Sequence, residues 1–355
     1  MALQAAFTLN PNEIFASIAN MIISQEVFAD NLGKHQALVD KARVDGGLYG
    51  DKKLYYATDV LKSHPWGADE TTEAANLLAL DRPDDPEVQD ITLDVFRQIR
   101  LTVDNYLSKR AWSNEGAFSS FNSVMLGWMR ETKRVYDGTL YNVFIGTTKS
   151  AKAAQNIDIT LTGTNDAQVI AEALANLLVA MGDYSRDFND YEFLRSYAES
   201  DIKFIWNSKY VNEIKKIDLP TIFHKDGLVD KFEEEVLPAR YFGTVNSAEV
   251  ATSGNTGQYR SVLEKDYIVS GKPVHVFPGD YIPASVTIAK GEGYLEDANV
   301  ICKVLVKLPP YMSAFEVGTS FFNPRSLTEN HYLTFGHNTL EYLKNYPFIT
   351  VKKAS

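Results

Sequence analysis

Residues 91–104 read ITLDVFRQIRLTVD, and the reading of this run decides the fold. Ile91, Leu93, Val95, Ile99, Leu101 and Val103 alternate with Thr92, Asp94, Gln98, Arg100, Thr102 and Asp104, the two-residue period of a strand with one apolar and one polar side. A single inversion at Phe96 and Arg97 interrupts it. A strand of about 14 residues spans roughly 45 Å, against about 17–20 Å for an ordinary strand, so this one is expected to project. Residues 52–61 (KKLYYATDVL) offer an extended partner upstream, and residues 62–90, rich in Pro, Asp, Asn and Ala, separate the two. The expectation is a two-stranded ribbon with an elaborate tip. An isolated ribbon is marginal in water, so its apolar side is expected to rest on a second copy of the chain.

Upstream, Asn10-Pro11-Asn12-Glu13 combines a cap, a proline at the first helical position and a glutamate three residues after the cap, which predicts an amphipathic helix ending near Gly33. Downstream, Ser113-Asn114-Glu115 predicts a second helix, with Phe118, Phe121, Met125, Trp128, Thr132 and Val135 on one stripe and Gly138 as its stop. Residues 140–162 read as strand, loop, strand. Asn165-Asp166 opens a third helix carrying Ile170, Leu174, Leu177, Leu178 and Met181 toward Gly182. Residues 201–206 (DIKFIW) followed by Asn207-Ser208 predict a strand running straight into a short helix over 209–216. Loops dominate 218–271, and strands return at 274–277, 285–289, 300–307, 330–335 and 348–352.

At 355 residues, 45% hydrophobic and 23% charged, the chain is ordinary globular material with room for two or three compact units. A formal charge of −11 argues against a surface built to grip phosphate backbones or anionic lipid. The lone Cys302 rules out an intrachain disulfide and a Cys-based zinc site, and its alternating surroundings predict a small buried hydrophobe. No segment has the length of apolar sequence a membrane span needs, and the first basic residue is Lys34, so neither a membrane segment nor a signal peptide is expected.

Catalytic patterns fail one by one. His331 and His337 would lie about 20 Å apart along a strand, too far to share a metal. Asp183, Ser185, Asp187 and Asn189 imitate the start of a calcium loop, but Phe188 stands where glycine is required and Leu194 where the bidentate glutamate belongs. Gly291-Glu292-Gly293 lacks the third glycine of a dinucleotide fingerprint, and there is no phosphate loop or nucleophile elbow. The acidic run Asp81, Asp84, Asp85 and Glu87 reads as a solvated ribbon tip whose partners would be cations on a neighbour. No catalytic, cofactor-binding or metal-binding residue is expected.

The order of parts, and four stretches in particular, resemble the major capsid protein of tailed double-stranded DNA bacteriophages, the Hong Kong-phage or Johnson fold shared with herpesvirus floor domains and encapsulins. Residues 90–112 (DITLDVFRQIRLTVDNYLSKRAW) resemble the descending strand of its extended loop. Residues 117–144 (AFSSFNSVMLGWMRETKRVYDGTLYNVF) resemble its spine helix and the following strand. Residues 201–220 (DIKFIWNSKYVNEIKKIDLP) resemble the strand and helix of its axial domain, and residues 331–352 (HYLTFGHNTLEYLKNYPFITVK) resemble the strands that return to its peripheral domain.

The resemblance implies an α+β capsid fold with a helical arm at 1–45, an extended β-ribbon loop at 46–110, the spine helix and first part of the peripheral domain at 111–165, an axial domain at 166–305 and peripheral strands at 306–355. It implies a structural subunit of an icosahedral phage head, in the virion after assembly in the host cytoplasm, forming hexamers and pentamers around packaged DNA as a non-specific neighbour. A portal and a separate scaffolding protein would be further partners, with no membrane and no cofactor. Trp66, Arg82, Asp84, Asp85, Phe96, Arg97 and Arg100 would form inter-subunit contacts of the extended loop, and Phe118, Phe121, Met125 and Trp128 the core of the spine helix. Some relatives cross-link a loop lysine to a neighbour, but no acceptor or acid matches Lys52, Lys53 or Lys62, which read as surface charges. An encapsulin-like compartment is the alternative within this fold, and an enzyme or binding protein with a dimerisation ribbon is the alternative outside it.

Overall fold

The computed structural model describes residues 37–44, 52–63, 80, 82–103, 115–214 and 233–354; for 37, 115–126, 212–214, 233 and 315 it describes the backbone. The expected arm helix, Trp66 and Asp81 lie outside the described residues. Helix α1 (Ala37–Ala42) runs into the short strand β1 (Arg43–Val44). Strand β2 (Lys52–Tyr56) pairs antiparallel with β3 (Glu87–Ile91), and after Thr92 the chain continues as β4 (Leu93–Val103). The decisive run is therefore extended as expected, but it serves two sheets.

Strand β4 pairs antiparallel with β15 (Thr328–Asn338), which pairs antiparallel with β14 (Tyr311–Asn323), while β1 joins the base of β14 in parallel. This corrects the expected ribbon: residues 52–61 accompany the strand only as far as Ile91, and the longer partner comes from the last third of the chain. The physical reason is length. An 11-residue strand satisfies the N–H and C=O groups along one edge only against a neighbour as long as itself, and β15 also has 11 residues. The apolar side is likewise covered from within, since Ile99 and Leu101 pack against Met129, Tyr136, Leu140, Leu333 and Phe335.

The inversion at Phe96 and Arg97 has a cause on each side. Arg97 faces inward, its guanidinium 5.2 Å from the Tyr136 ring centroid and 3.1 Å from Glu264. Phe96 faces outward over Gly336, where a Cβ would come within 3.0 Å of its ring.

Helix α2 (Glu115–Thr147) has 33 residues and is about 50 Å long. It does not stop at Gly138, and residues 140–147, expected as a strand, are its last turns. Tyr136, Leu140, Tyr141, Val143 and Ile145 are all buried, and so are Asp137 and Asn142, so this end of the helix is buried all round and shows no single apolar stripe. A buried helix and a buried strand present the same short apolar run, which is why the spacing misleads.

The second sheet has the order β5-β16-β13-β6-β7, from β5 (Asn156–Ile159), β6 (Lys203–Asn207), β7 (Glu233–Leu237), β13 (Val300–Leu305) and β16 (Phe348–Lys353). Helix α3 (Asp166–Gly182) has the limits its sequence predicts and sets Ile170, Leu174, Leu177, Leu178 and Met181 against this sheet, together with Tyr210 of α4 (Ser208–Ile214). Cys302, at the centre of β13, is fully buried.

Residues 239–271, expected as loops, and the stretch that follows to 296 hold a three-stranded sheet of β8 (Gly243–Val245), β9 (Arg260–Ser261) and β12 (Gly293–Glu296), and a hairpin of β10 (Lys265–Val269) and β11 (Lys272–Val276), the last of these where a strand is expected at 274–277. The hairpin turns at Ser270 and Gly271, both at positive φ, the conformation of the tight turns that suit twisted strands. Residues 285–289 are not a strand; only a single bridge joins Val250 and Ile288. This region sits close on α2, because Gly146 lets the Tyr241 carbonyl oxygen approach to within 2.1 Å of where a Cβ would stand, a distance no side chain survives.

Candidate assembly surfaces

The β2–β3 pair and the segment after β2 are fixed to the rest of the chain by side chains that local sequence patterns do not reveal. Gln89 is almost fully buried and bonds three ways: its Oε1 accepts from Tyr56 Oη at 3.0 Å and from the Lys344 N–H at 3.1 Å, and its Nε2 donates to the Tyr342 carbonyl at 2.9 Å. Beyond β2, Asp59 accepts the Leu194 N–H at 2.8 Å and pairs with Arg186, while Arg195 donates to the carbonyls of Ala57 at 3.1 Å and Thr58 at 3.2 Å. The Leu194 N–H, followed by Arg186, holds the Asp59 carboxyl down at about 2.

Among the described residues, the outward side of this segment carries exposed apolar side chains. Tyr55, Val60, Leu61, Leu80 and Val88 are exposed, Leu80 at 80%, a density of large apolar side chains that soluble surfaces seldom carry without a partner. Arg82, Asp84 and Asp85 are exposed beside them.

A second surface is the outward face of the long sheet. Register places Phe96, Gln98, Arg100 and Thr102 in rows with Gly336, Thr334, Tyr332 and Asn330 of β15. Hydrogen bonds tie the rows: Gln98 to Thr334 at 3.1 Å, Arg100 to Gln98 at 3.0 Å and Thr102 to Asn330 at 2.7 Å. Phe96 at 59% and Phe321 at 60% exposure mark its two ends. Of the expected contact residues, Phe96 and Arg100 lie on this face, Arg97 is turned inward, and Arg82, Asp84 and Asp85 lie on the loop. Trp128 is partly buried on α2, whose closely packed side runs one residue further on, through Met129, Lys133 and Tyr136. Phe118, Phe121 and Met125 are helical, with side chains outside the described residues.

Behind the long sheet lies a buried polar cluster that sequence reading misses. Asp137 accepts from Tyr311 Oη at 2.5 Å and pairs with Lys133 at 3.0 Å and Arg43 at 3.4 Å, so α2, β14 and β1 meet at one carboxylate. Lys133 also reaches Ser313 at 3.1 Å and Glu316 at 3.4 Å. Tyr136 Oη lies 2.8 Å from His337 Nε2, and burial pushes the imidazole pKa down. In the second sheet, the buried Lys303 donates to the Thr148 carbonyl at 2.7 Å and to Thr350 Oγ1 at 2.9 Å, which ties β13 and β16 to the chain just past α2. These clusters are joints between elements, with every titratable member engaged by a structural partner.

Among the described residues, no three His, Cys, Asp or Glu side chains are placed to hold a metal ion. The calcium-loop imitation is spent on its own turn, Ser185 bonding Asp187 and Asn189 bonding the Phe193 backbone. No helix among the described residues is long and apolar enough to cross a membrane.

Comparison with solved structures places this architecture. A chain from the capsid structure of Staphylococcus phage Andhra matches with a TM-score of 0.59 at 10% identity, over 89% of this chain and 83% of that one. The fold is a phage-capsid fold. A chain from the structure of the head fiber and inner core protein gp22 of native bacteriophage P68 matches this capsid fold with a TM-score of 0.53 at 10% identity, over 87% and 81%. No protein-family model and no curated protein matches the sequence. The α+β, Hong Kong-phage-like architecture expected from the order of elements is thus the one found.

Proposed function

We propose that this chain is a structural subunit of an icosahedral phage head, assembling as hexamers and pentamers into the shell that encloses packaged double-stranded DNA, and that it is not an enzyme. The capsid fold supports this reading, and the observation that carries it is the exposed apolar surface of Tyr55, Val60, Leu61, Leu80 and Val88 on an anchored segment. The extended loop is clamped at its base by Gln89 and Asp59 while its outer side chains have no cover among the described residues. A protein that worked alone would gain nothing from fixing such a surface in place.

In this reading residues 46–110 reach a neighbouring subunit, 166–305 form the axial domain, and 111–165 with 306–355 form the peripheral domain. Arg82, Asp84 and Asp85 set the register of contact more than its strength. The charge of −11 suits a wall that touches DNA without holding it. A portal and a scaffolding protein complete the set of partners, and assembly takes place in the host cytoplasm. Negative-stain microscopy and size-exclusion chromatography of the purified protein test the proposal: capsomers or closed shells are the expected outcome, and a stable monomer or dimer under assembling conditions would refute it.

A further inference from the structure

Strand β14 carries a bulge between Ala314 and Val317, above which it runs in regular register with β15 to Asn323. Its other edge is taken by β1 only at Tyr311 and Met312, and from there upward it has no partner among the described residues. Residues 316–322 are all exposed. The regular stretch 317–323, VGTSFFN, has neither charge nor proline, the two features by which edge strands are commonly kept from pairing. Below it stand the bulge and Glu316, and above it Pro324.

Set antiparallel against a second copy of itself, this stretch has one register that uses all of its residues, centred on Ser320. Val317 then faces Asn323, Thr319 faces Phe321, and Gly318 faces Phe322 of the other copy. The last pairing fits well: a Cβ on Gly318 would find nothing within 4 Å, and Phe322 leaves half of its surface exposed. The same sheet already covers Gly336 with Phe96 in this way. Moving the centre to Thr319 sets Phe322 against Glu316 and runs Asn323 into the bulge. Moving it to Phe321 brings in Pro324, which has no N–H to give.

We propose that the 317–323 edge of β14 is a self-complementary docking edge at which two copies of this chain join their long sheets about a twofold axis through Ser320. The inference rests on the shell reading for where the pairing acts. A paired edge of about 24 Å falls short of the ~1,000 Å² that a free-standing interface buries, so the pairing works as one contact among several. Because it is isologous it closes on itself and does not propagate as a fibre.

Cysteine cross-linking in the full chain tests it, since the native Cys302 is fully buried and silent. Ser320→Cys, at the axis, is expected to give a disulfide-linked dimer on mild oxidation, with the yield falling about tenfold when Phe322→Ser is added. Val317→Cys, whose counterpart would lie about 20 Å away, is expected to give none. The proposal is overturned if Ser320→Cys stays unlinked, if Val317→Cys links as readily, or if the Ser320→Cys monomer resists thiol reagents because its own chain lies on the edge. Shells that form from unlinked Ser320→Cys protein would overturn the pairing and leave the shell reading intact; linked dimers that never form shells would do the reverse.

Discussion

Lys303 and Asp137 carry the two most consequential polar side chains of the interior, and each behaves according to what surrounds it. Burial pushes the Lys303 pKa down to about 7, and the two N–H groups of the neutral amine match its two acceptors, the Thr148 carbonyl and Thr350 Oγ1. In the unfolded chain the same group keeps its proton to about 10.4. Unfolding between these values takes up a proton, so this residue makes stability rise with pH, by up to about 1.4 kcal/mol per pH unit. Urea midpoints measured at about pH 7 and about pH 9.5 should therefore draw apart in the native protein more than in Lys303→Met, because only the native protein has this group to titrate. Asp137 differs in being surrounded by donors, Tyr311 Oη, Lys133 and Arg43. Asp137→Ala would leave the buried Lys133 ammonium without its nearest counter-ion, a loss of about 3 kcal/mol, and Tyr311→Phe removes one charge-assisted hydrogen bond, about 1.5–3 kcal/mol; equal midpoints in thermal unfolding would contradict both. Neither cluster is legible in sequence, since Lys133 and Asp137 look like any surface pair one helical turn apart and their other partners lie far along the chain.

Among the elements, the segment after β2 depends on a latch made of single bonds. Asp59→Ala should free the segment 57–63 from Leu194 and Arg186, and limited proteolysis should then cut there faster with the rest of the protein intact. Asp59→Asn, which keeps an acceptor for the Leu194 N–H but loses the ion pair, should lie between. With its carboxyl held at about 2, the latch is complete above the ordinary carboxylate range and is lost only as pH falls through that value. The elements most legible in sequence are those with local punctuation: α3 between Asn165-Asp166 and Gly182, and β6 running into α4 through Asn207-Ser208. Strand β4 is legible in extent but not in partner, because alternation specifies a face and says nothing about which neighbour covers it. Strand β14 escapes notice because its bulge shifts the two-residue period midway. The last turns of α2 escape because a helix buried on all sides has no stripe. The outward surfaces are legible in part: the inversion at Phe96 and Arg97 marks a position where the rule of the strand is broken, while the partners of Gln89 and Asp59, Tyr56 aside, lie more than a hundred positions away.

For the whole molecule the decisive quantity is charge. In the proposed shell each chain would bring −11, and like-charged subunits repel over a Debye length of about 10 Å at 0.1 M salt, falling to about 3 Å at 1 M. If apolar contacts drive association, light scattering from dissociated subunits should rise faster at about 0.5 M salt than at about 0.05 M; slower assembly at the higher salt would show that ion pairs such as those available to Arg82 and Asp84 dominate instead. The sheet order adds a constraint of a different kind. Strand β16, residues 348–353, lies between β5 and β13 and is hydrogen-bonded to both, so the second sheet stays divided until translation has delivered that strand. A nascent chain emerging from the ribosome can form α2 and α3 early but cannot close this core, and truncated products of interrupted synthesis are excluded from the finished fold by topology alone.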